Sequence, residues 1–317
     1  MITEPQTLIE AIRYFSDPDV CLAFMVKLRW PNGVACPTCG STDVRFIGTR
    51  RLWECKDKHP KRQFSAKVGT IFEDSPIALD KWLAAIWMIA NAKNGVSSYE
   101  IARALGVTQK TAWFMMHRIR LAMETPNVGK FVGQVEADET FIGGSARFMH
   151  KERRERLGDG TGAVGKTAVL GLLERHGPDR VSRVRAKVVP AVDQVTIAPE
   201  VRQNVEAGSE LLTDGHGAYV AVASEYVHQV IDHAEAYVRG HVHTNGIENF
   251  WSLLKRAIKG TYVNVEPFHL FRYLNEQSFR YNNRKITDGG RFGRVAGSIV
   301  GKRVTYRVLT GSATTPA

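Results

Sequence analysis

Apolar and polar positions follow two different periods along the chain, and the changes of period divide it into regions. Residues 5–29 have an apolar face at helical spacing that Asp17-Pro18 interrupts, since proline disfavours the helical conformation in the residue before it. Residues 30–75 are short β-like stretches punctuated by glycine and cysteine, whereas residues 76–124 return to long apolar faces at helical spacing. The pattern predicts helices on both sides of a small β module.

From Phe131 onward, strand-like and helix-like stretches follow one another, which is typical of an α/β domain. Predicted strands cover 131–142, 167–174, 181–189, 209–213 and 226–232. Predicted helices cover 193–207, 244–259 and 266–282. The stretch Thr125-Pro126-Asn127 with Gly129 is predicted to be a linker, 145–166 a surface loop rich in glycine and arginine, and 311–317 a frayed end.

Composition adds a positive charge to this picture. Lysine and arginine total 43 against 32 aspartate and glutamate in 317 residues, a formal net charge of +11. Such a surplus favours a polyanionic partner, either nucleic acid or an anionic membrane surface. No apolar run approaches the ~20 residues that span a bilayer, and the first residues lack the pattern of a secretory signal. Nucleic acid is therefore favoured over a membrane, and a merely basic soluble protein is the alternative.

Three of the four cysteines form, with one histidine, a pattern typical of a metal site. Two residues separate Cys36 from Cys39, fifteen residues separate Cys39 from Cys55, and a spacer of three separates Cys55 from His59. Two close pairs on facing hairpins supply the tetrahedron of ligands that Zn²⁺ requires, so the spacing predicts a zinc ribbon in a reducing compartment. Buried free cysteines are the alternative, and this is how we interpret Cys21, which lies in an apolar run.

A short helix, a tight turn and a longer helix are predicted within residues 97–122. Ser97 and Glu100 match a capping box, Gly106 permits the turn, and Thr108 can cap the second helix. This arrangement predicts a helix-turn-helix that binds DNA, and a fragment of residues 1–125 is expected to bind DNA alone. The residues expected to contact DNA are Gln109, Lys110, His117 and Arg118. An ordinary helical hairpin is the alternative.

Three acidic residues stand out in the α/β region, two of them in apolar strands. Asp138 lies in the first predicted strand, Asp214 ends the fourth, and Glu248 lies on the helix predicted at 244–259. A carboxylate in an apolar strand is costly unless a metal or another partner neutralises it. Taken together the acids favour a two-metal site. The structural alternatives are a plain turn at Asp214 and a helix capping box that pairs Asn245 with Glu248.

Lys255 follows Glu248 on the same predicted helix by seven residues. At ~100° per residue the two side chains project within about 20° of each other, roughly 10 Å apart along the axis. This separation is too long for a direct ion pair and suits a phosphate of DNA that enters the site. We expect Lys255 to position DNA, and a solvated surface lysine is the alternative.

Several longer motifs occur in order between Cys36 and Lys285. They are Cys36-Pro37-Thr38-Cys39, Gln63-Phe64-Ser65, Gly69-Thr70-Ile71-Phe72, Asp138-Glu139-Thr140-Phe141-Ile142-Gly143-Gly144, Thr213-Asp214-Gly215, His243-Thr244-Asn245, Ile247-Glu248, Trp251-Ser252-Leu253-Leu254-Lys255-Arg256, Gly260-Thr261-Tyr262 and Arg280-Tyr281-Asn282. With them the chain resembles bacterial insertion-sequence transposases of the DDE type that carry an N-terminal zinc ribbon (the ISXO type, in the Merlin-like superfamily). It departs from their pattern at His59, which replaces the usual fourth zinc cysteine after one extra spacer residue.

The resemblance implies a multidomain α/β protein. An N-terminal helix and zinc ribbon would occupy residues 1–75, and a helix-turn-helix DNA-binding domain residues 76–125. An RNase H-like catalytic domain with a mixed sheet would occupy 130–290, and a C-terminal tail 291–317.

The resemblance also implies a chemistry and its participants. The enzyme would cleave transposon ends and join the freed 3′-hydroxyl to target DNA, with Mg²⁺ or Mn²⁺ at Asp138, Asp214 and Glu248, Lys255 beside them, and Zn²⁺ at the ribbon. Some branches carry asparagine at the third position, so Asn245 and Asn249 are alternatives to Glu248. The partners would be the terminal inverted repeats, target DNA and further copies of the chain in a homodimer or higher oligomer, in the cytoplasm at the bacterial nucleoid. A transposase-derived DNA-binding regulator without catalysis is the alternative function.

Overall fold

The chain divides into two compact units, one formed by Met1–Glu124 with Ile286–Ala317 and the other by Thr125–Lys285. The computed structural model describes residues 5–124, 129–143, 165–176, 181–214, 217–231 and 243–311. Thr125-Pro126-Asn127 of the predicted linker, most of the predicted loop at 145–166 and residues 312–317 of the predicted frayed end lie outside these ranges.

The first unit opens with two helices, α1 (Leu8–Tyr14) and α2 (Pro18–Arg29). Asp17 separates them as predicted, because its side chain accepts a hydrogen bond from the Asp19 N–H while Pro18 occupies the first helical position, where no N–H is needed. A three-stranded antiparallel sheet follows, with β1 (Val44–Ile47), β2 (Leu52–Cys55) and β3 (Gln63–Phe64) in sequence order.

Three helices continue the first unit: α3 (Leu79–Asn91), α4 (Ser98–Leu105) and α5 (Gln109–Ala122). The capping predicted for the last two is present. Ser97 and Glu100 form a capping box, Gly106 ends α4 in the left-handed conformation at φ 61°, and Thr108 caps α5. Four residues therefore specify locally the ends of α4 and α5 and the turn between them.

The second unit is built on a five-stranded mixed sheet. Its strands are β4 (Gln134–Ile142), β5 (Thr167–Glu174), β6 (Arg183–Val189), β7 (Glu210–Asp214) and β8 (Val227–Ile231). Their spatial order is β6-β5-β4-β7-β8. The strand β5 runs antiparallel to both neighbours, whereas β7 runs parallel to β4 and β8 parallel to β7. All five strands fall where the apolar pattern predicts them.

Helices cover both faces of this sheet. They are α6 (Gln194–Asn204), α7 (Asn245–Ala257), which continues as a π-helical turn over Ile258–Tyr262, and α8 (Leu270–Asn282), which a short 3₁₀ turn over Pro267–His269 precedes. One apolar core joins α6 and the 3₁₀ segment Gly217–Val222 to β4 and β7. The other joins α7 and α8 to β5 and β6. The central strand β4 is thus packed on both sides.

The chain returns to the first unit with α9 (Asp288–Gly297) and a final turn, α10 (Tyr306–Leu309). Phe292, which lies on α9, packs against two aromatic rings of the first unit. Its ring centroid is 5.8 Å from that of Phe24 and 5.1 Å from that of Trp87. The Lys302 ammonium donates to the carbonyl of Leu121, the α5 residue, at 3.0 Å. The prediction of a tail from residue 291 is therefore wrong for 291–309, because this glycine-rich stretch fills part of the core of the first unit.

Candidate functional site

The predicted zinc ligands lie together in the first unit. Donor atoms of Cys36, Cys39, Cys55 and His59 all fall within 4.8 Å of one another. The Cys36 Sγ lies 3.4 Å from His59 Nε2, and the Cys39 Sγ lies 3.6 Å from the Cys55 Sγ. Three thiols and one imidazole in such a cluster suit tetrahedral Zn²⁺, which favours sulfur and nitrogen donors.

Backbone geometry around the cluster directs these donors inward. The Gly40 N–H donates to the Cys36 carbonyl at 2.8 Å in a turn that leaves Gly40 at φ 78°, a conformation that favours glycine. The His59 Nδ1 lies 2.7 Å from the Pro60 carbonyl. Because a carbonyl only accepts, Nδ1 carries the proton and Nε2 is left to bind metal.

The protonation of the thiols separates the cluster from the remaining cysteine. Burial would raise the pKa of Cys36, but the N–H groups of Cys39 and Thr38 outweigh it and bring that pKa to about 7, which favours a thiolate ligand. Cys21 instead donates its S–H to the Phe15 carbonyl at 3.1 Å, and burial raises its pKa to about 11. Cys21 is the core residue that its apolar surroundings predict.

The four residues predicted to contact DNA on α5 have different surroundings. Lys110 is exposed, with its ammonium 4.7 Å from the centre of the Tyr306 ring, and Gln109 is half-buried and donates to the Ser98 hydroxyl at 2.8 Å. His117 and Arg118 are buried. The prediction that these two contact DNA is contradicted, because the Arg118 guanidinium donates to two backbone carbonyls inside the unit and the His117 ring packs on Trp113.

Two of the predicted acidic residues stand side by side on parallel strands. The register of β4 with β7 pairs Glu136 with Leu212, and two residues further along the two strands lie Asp138 and Asp214. Asp138 is fixed by two donors, since Trp251 Nε1 donates to its Oδ2 at 2.9 Å and the Glu139 N–H to its Oδ1 at 2.8 Å.

The third acid approaches them from α7. Glu248 lies in the first turn of this helix, and the Thr244 hydroxyl donates to its carboxylate at 3.0 Å. Burial, with a smaller contribution from the charges of Asp214 and Glu248, raises the pKa of Asp138 to about 6 against the lowering effect of the hydrogen bond from Trp251. The structure therefore brings Asp214 and Glu248 within electrostatic range of Asp138.

Lys255 lies on the same helix and is half-buried. The apolar stripe that the sequence predicts on α7 is present, because Ile247, Trp251 and Leu254 are all buried against the sheet. The Thr244 residue takes the N-cap position, which leaves Asn245 as the first helical residue and excludes the predicted alternative of an Asn245 capping box.

Sequence reasoning missed two acidic neighbours of this site. Glu136 is buried on the same face of β4 as Asp138 and pairs with Arg175. Glu139 projects to the opposite face and accepts a hydrogen bond from the fully buried Tyr219, and burial raises its pKa to about 7. The available signal was the period of two, which places Glu136 beside Asp138 on one strand face.

Comparison with known proteins agrees with this architecture. The model of the ISXO2-like transposase domain matches residues 130–282, and the model of the transposase zinc-ribbon domain matches residues 16–57. The chain is 27% identical over 246 residues to the "uncharacterized protein in transposable element ISH50" of Halobacterium salinarum, covering 73% of this chain and 80% of that protein. It is 34% identical over 105 residues to an "uncharacterized transposase-like protein" of Haemophilus influenzae, covering 33% of this chain and 85% of that protein.

The zinc ribbon, together with the transposase domain matched over the mixed sheet, defines the class of protein, a zinc-ribbon transposase. The chain belongs to the ISXO2-like transposase family. The resemblance drawn from its motifs is thereby confirmed. None of the helices within the described ranges has both the length and the apolar character needed to cross a lipid bilayer.

Proposed function

We propose that the chain is a DDE-type DNA transposase whose second unit is an RNase H-like catalytic domain. The observation that carries the proposal is that Asp214, on the adjacent parallel strand, and Glu248, on a helix, lie close enough to the half-buried Asp138 for their charges to raise its pKa. The acids stand on the first strand of the unit, at the end of its fourth strand and on a helix beside the sheet, which is the arrangement that the resemblance implies.

The donor set fits hard divalent cations. Carboxylate oxygens suit Mg²⁺ or Mn²⁺, whereas the thiolates of the ribbon suit Zn²⁺. When bound, two Mg²⁺ ions in such a site supply an activated nucleophile and stabilise the leaving oxygen. The residues of the chain orient the ligands: Trp251 holds Asp138, and Thr244 holds Glu248. Burial is the main cause of the raised Asp138 pKa, and the charges of Asp214 and Glu248, which bound cations would neutralise, add to it.

The first unit is proposed to bind the transposon ends. Its support is the zinc ribbon, the pair of helices α4 and α5, and the exposed Lys110 at the N-terminal end of α5. Gln109 and Lys110 are the proposed DNA contacts on α5. We further propose that Lys255 on α7 holds a DNA phosphate beside the carboxylates, and that two or more copies of the chain act together on paired ends.

Cleavage of DNA that carries the transposon end tests the catalytic proposal. Asp138→Asn and Asp214→Asn are each expected to abolish Mg²⁺-dependent cleavage while they leave DNA binding intact. Asp193→Asn is the matched control, because Asp193 caps α6 in the same unit and asparagine caps helices equally well. Cleavage at the wild-type rate by either active-site variant would falsify the site.

The same assay separates the alternative function. A wild-type protein that binds the ends but does not cleave them in Mg²⁺ or Mn²⁺ would support a DNA-binding regulator descended from a transposase. Binding is expected to weaken as salt rises, since phosphate contacts release counterions.

A further inference from the structure

The first turn of α7, the helix that carries Glu248, is hydrogen-bonded to a buried carboxylate of the central strand. Glu136 is 1% exposed, and its Oε1 accepts a hydrogen bond from Arg175 Nε at 2.5 Å. Its Oε2 accepts from the N–H of Ile247 at 2.7 Å. That N–H belongs to the first turn of α7, where helix N–H groups have no partner within the helix and the helix dipole favours a negative charge.

Arg175 connects this carboxylate to His243, which directly precedes the N-cap residue of α7. Its Nη2 lies 2.6 Å from His243 Nδ1 and also donates to the His243 carbonyl. The Arg175 N–H donates to the carbonyl of Gln134 at 2.9 Å, which fixes the arginine backbone against β4. One guanidinium therefore joins the end of β5, the start of β4 and the entrance of α7.

Two glycines allow the helix to sit this close. A Cβ atom on Gly246 would lie 2.9 Å from both carboxylate oxygens of Glu136, a distance that real Cβ atoms do not adopt. A Cβ on Gly171 of β5 would lie 2.4 Å from the Trp251 ring. Both glycines thus leave room where α7 meets the sheet. Gly246 does so at the first turn of α7, and Gly171 does so beside Trp251, which donates a hydrogen bond to Asp138.

A buried ion pair is an unusual way to dock a helix, because apolar residues of similar volume stabilise a fold at least as well. The hydrogen bonds of Glu136 instead fix the position of α7 relative to β4, since each carboxylate oxygen has its own donor. Both oxygens of Glu136 are engaged in this way, so Glu136 is placed as an anchor and not as a metal ligand.

We propose that Glu136, with Arg175, is the positioning residue that sets Glu248 relative to Asp138. One strand then carries both a metal ligand and the anchor of another ligand two residues away on the same face. The inference rests on the proposed two-metal function, because positioning matters only if the three carboxylates share metal.

Glu136→Gln in the full-length, zinc-loaded chain tests the anchor. A glutamine amide accepts from only one of the two donors, so one hydrogen bond is lost while the shape is kept. We expect the Mn²⁺ concentration for half-saturation, measured by calorimetry, to rise by about 10-fold or more. Hydrogen exchange at the Ile247 amide, measured without Mg²⁺ or Mn²⁺, is expected to become faster.

Glu174→Gln is the matched control. Glu174 is as deeply buried at the end of β5, and it pairs with Arg183 and His176 at 2.7 Å and 2.9 Å. These partners belong to the edge of the sheet and not to α7. Glu174→Gln is expected to lower stability without moving the Mn²⁺ half-saturation. Equal shifts in the two variants would overturn the inference.

Gly246→Ala separates positioning from charge. Loss of a negative charge by itself weakens cation binding, but Gly246→Ala keeps every charge and only pushes the helix from Glu136. It is expected to raise the Mn²⁺ half-saturation as Glu136→Gln does, whereas Gly293→Ala on α9, where a Cβ meets nothing, is expected to have no effect. Wild-type Mn²⁺ binding by Gly246→Ala would overturn the inference, and this variant decides if Glu136→Gln does not fold. If Asp138→Asn also binds Mn²⁺ normally, the proposed function itself fails.

Discussion

The protonation of Asp138 makes the stability of the second unit depend on pH. Burial, then the charges of Asp214 and Glu248, raise its pKa from 3.8 to about 6, so the folded state holds a proton that the unfolded state has lost. Without Mg²⁺, Asp138 therefore lowers the free energy of unfolding progressively as pH rises from about 4 to about 6, and this loss of stability persists at higher pH. Metal binding follows the opposite trend, since cations compete with the proton.

The expected result is a thermal midpoint that, in Mg²⁺-free buffer, falls more steeply between about pH 4 and pH 6 in wild type than in Asp138→Asn. Thermal unfolding of both proteins with zinc retained measures the difference. Added Mg²⁺ is expected to raise the wild-type midpoint at pH 7 and to have little effect at pH 4. Parallel curves for the two proteins would show that Asp138 keeps an ordinary pKa.

His59 is the ligand on which the zinc site departs from the family pattern. His59→Ala is expected to lower zinc affinity, because it removes the fourth donor of a cluster whose other donors lie within 4.8 Å. Cys21→Ala is the control, since Cys21 is bonded to the Phe15 carbonyl and not to the cluster. Zinc content after dialysis against a weak chelator distinguishes them. Zinc loss from Cys21→Ala alone would reverse the assignment.

At the scale of the element, the packing of α7 against the sheet depends on Gly171. Gly171→Ala is expected to destabilise the protein by about 1–3 kcal/mol, the usual cost of an overpacked core, because the added methyl meets the Trp251 ring. Chemical denaturation measures the change. Gly297→Ala on α9 is the control, as a Cβ there meets nothing. Equal stability of the two variants would mean that Trp251 is free to move aside.

The elements of the second unit were predictable because their information is local. Alternating or continuous apolar residues fix the strands, and a carboxylate in such a strand marks Asp138 as needing a partner. The partners themselves are not local. Nothing near Glu136 in sequence indicates Arg175, and nothing near Arg118 indicates that carbonyls of Ile71 and Glu73 receive its guanidinium.

The same limit explains the two main errors. Periodicity shows that a face is polar but not that another segment covers it, so α5 was expected to present basic residues that are in fact buried. The helix α9 contains several glycines, which lower helix propensity, and its place is decided by Phe292 and Val295 in a core formed by distant residues.

At the scale of the whole molecule, the first unit is assembled from two separate stretches of chain. A fragment of 1–124 alone lacks α9, whose Arg291 donates to Asn91 of α3 at 2.7 Å and whose Phe292 packs on Trp87. We therefore expect this fragment to be less stable than the complete first unit. It should bind DNA only weakly by itself, whereas the sequence pattern predicts that residues 1–125 bind DNA alone.

Co-expression with a peptide of residues 286–311 is expected to restore both stability and DNA binding at low salt. Phe292→Ala in the peptide should weaken the restoration, because it removes a buried ring at a cost of about 3–5 kcal/mol. Thermal unfolding and DNA retardation of the fragment with each peptide measure the effect. Full DNA binding by 1–124 without any peptide would show that the second stretch is dispensable.

The interleaved order of the two units also sets the order in which they mature on the ribosome. The roughly 160 residues of the second unit are synthesised between the two parts of the first, which takes roughly 8–30 s at elongation rates of about 5–20 residues per second. During that interval α3 and α5 exist without α9, so the first unit is completed only after the whole second unit has been synthesised. A product that terminates early would carry the zinc ribbon but not the complete core of the first unit. If the first unit binds the transposon ends as proposed, truncated chains would compete poorly with complete ones for those ends.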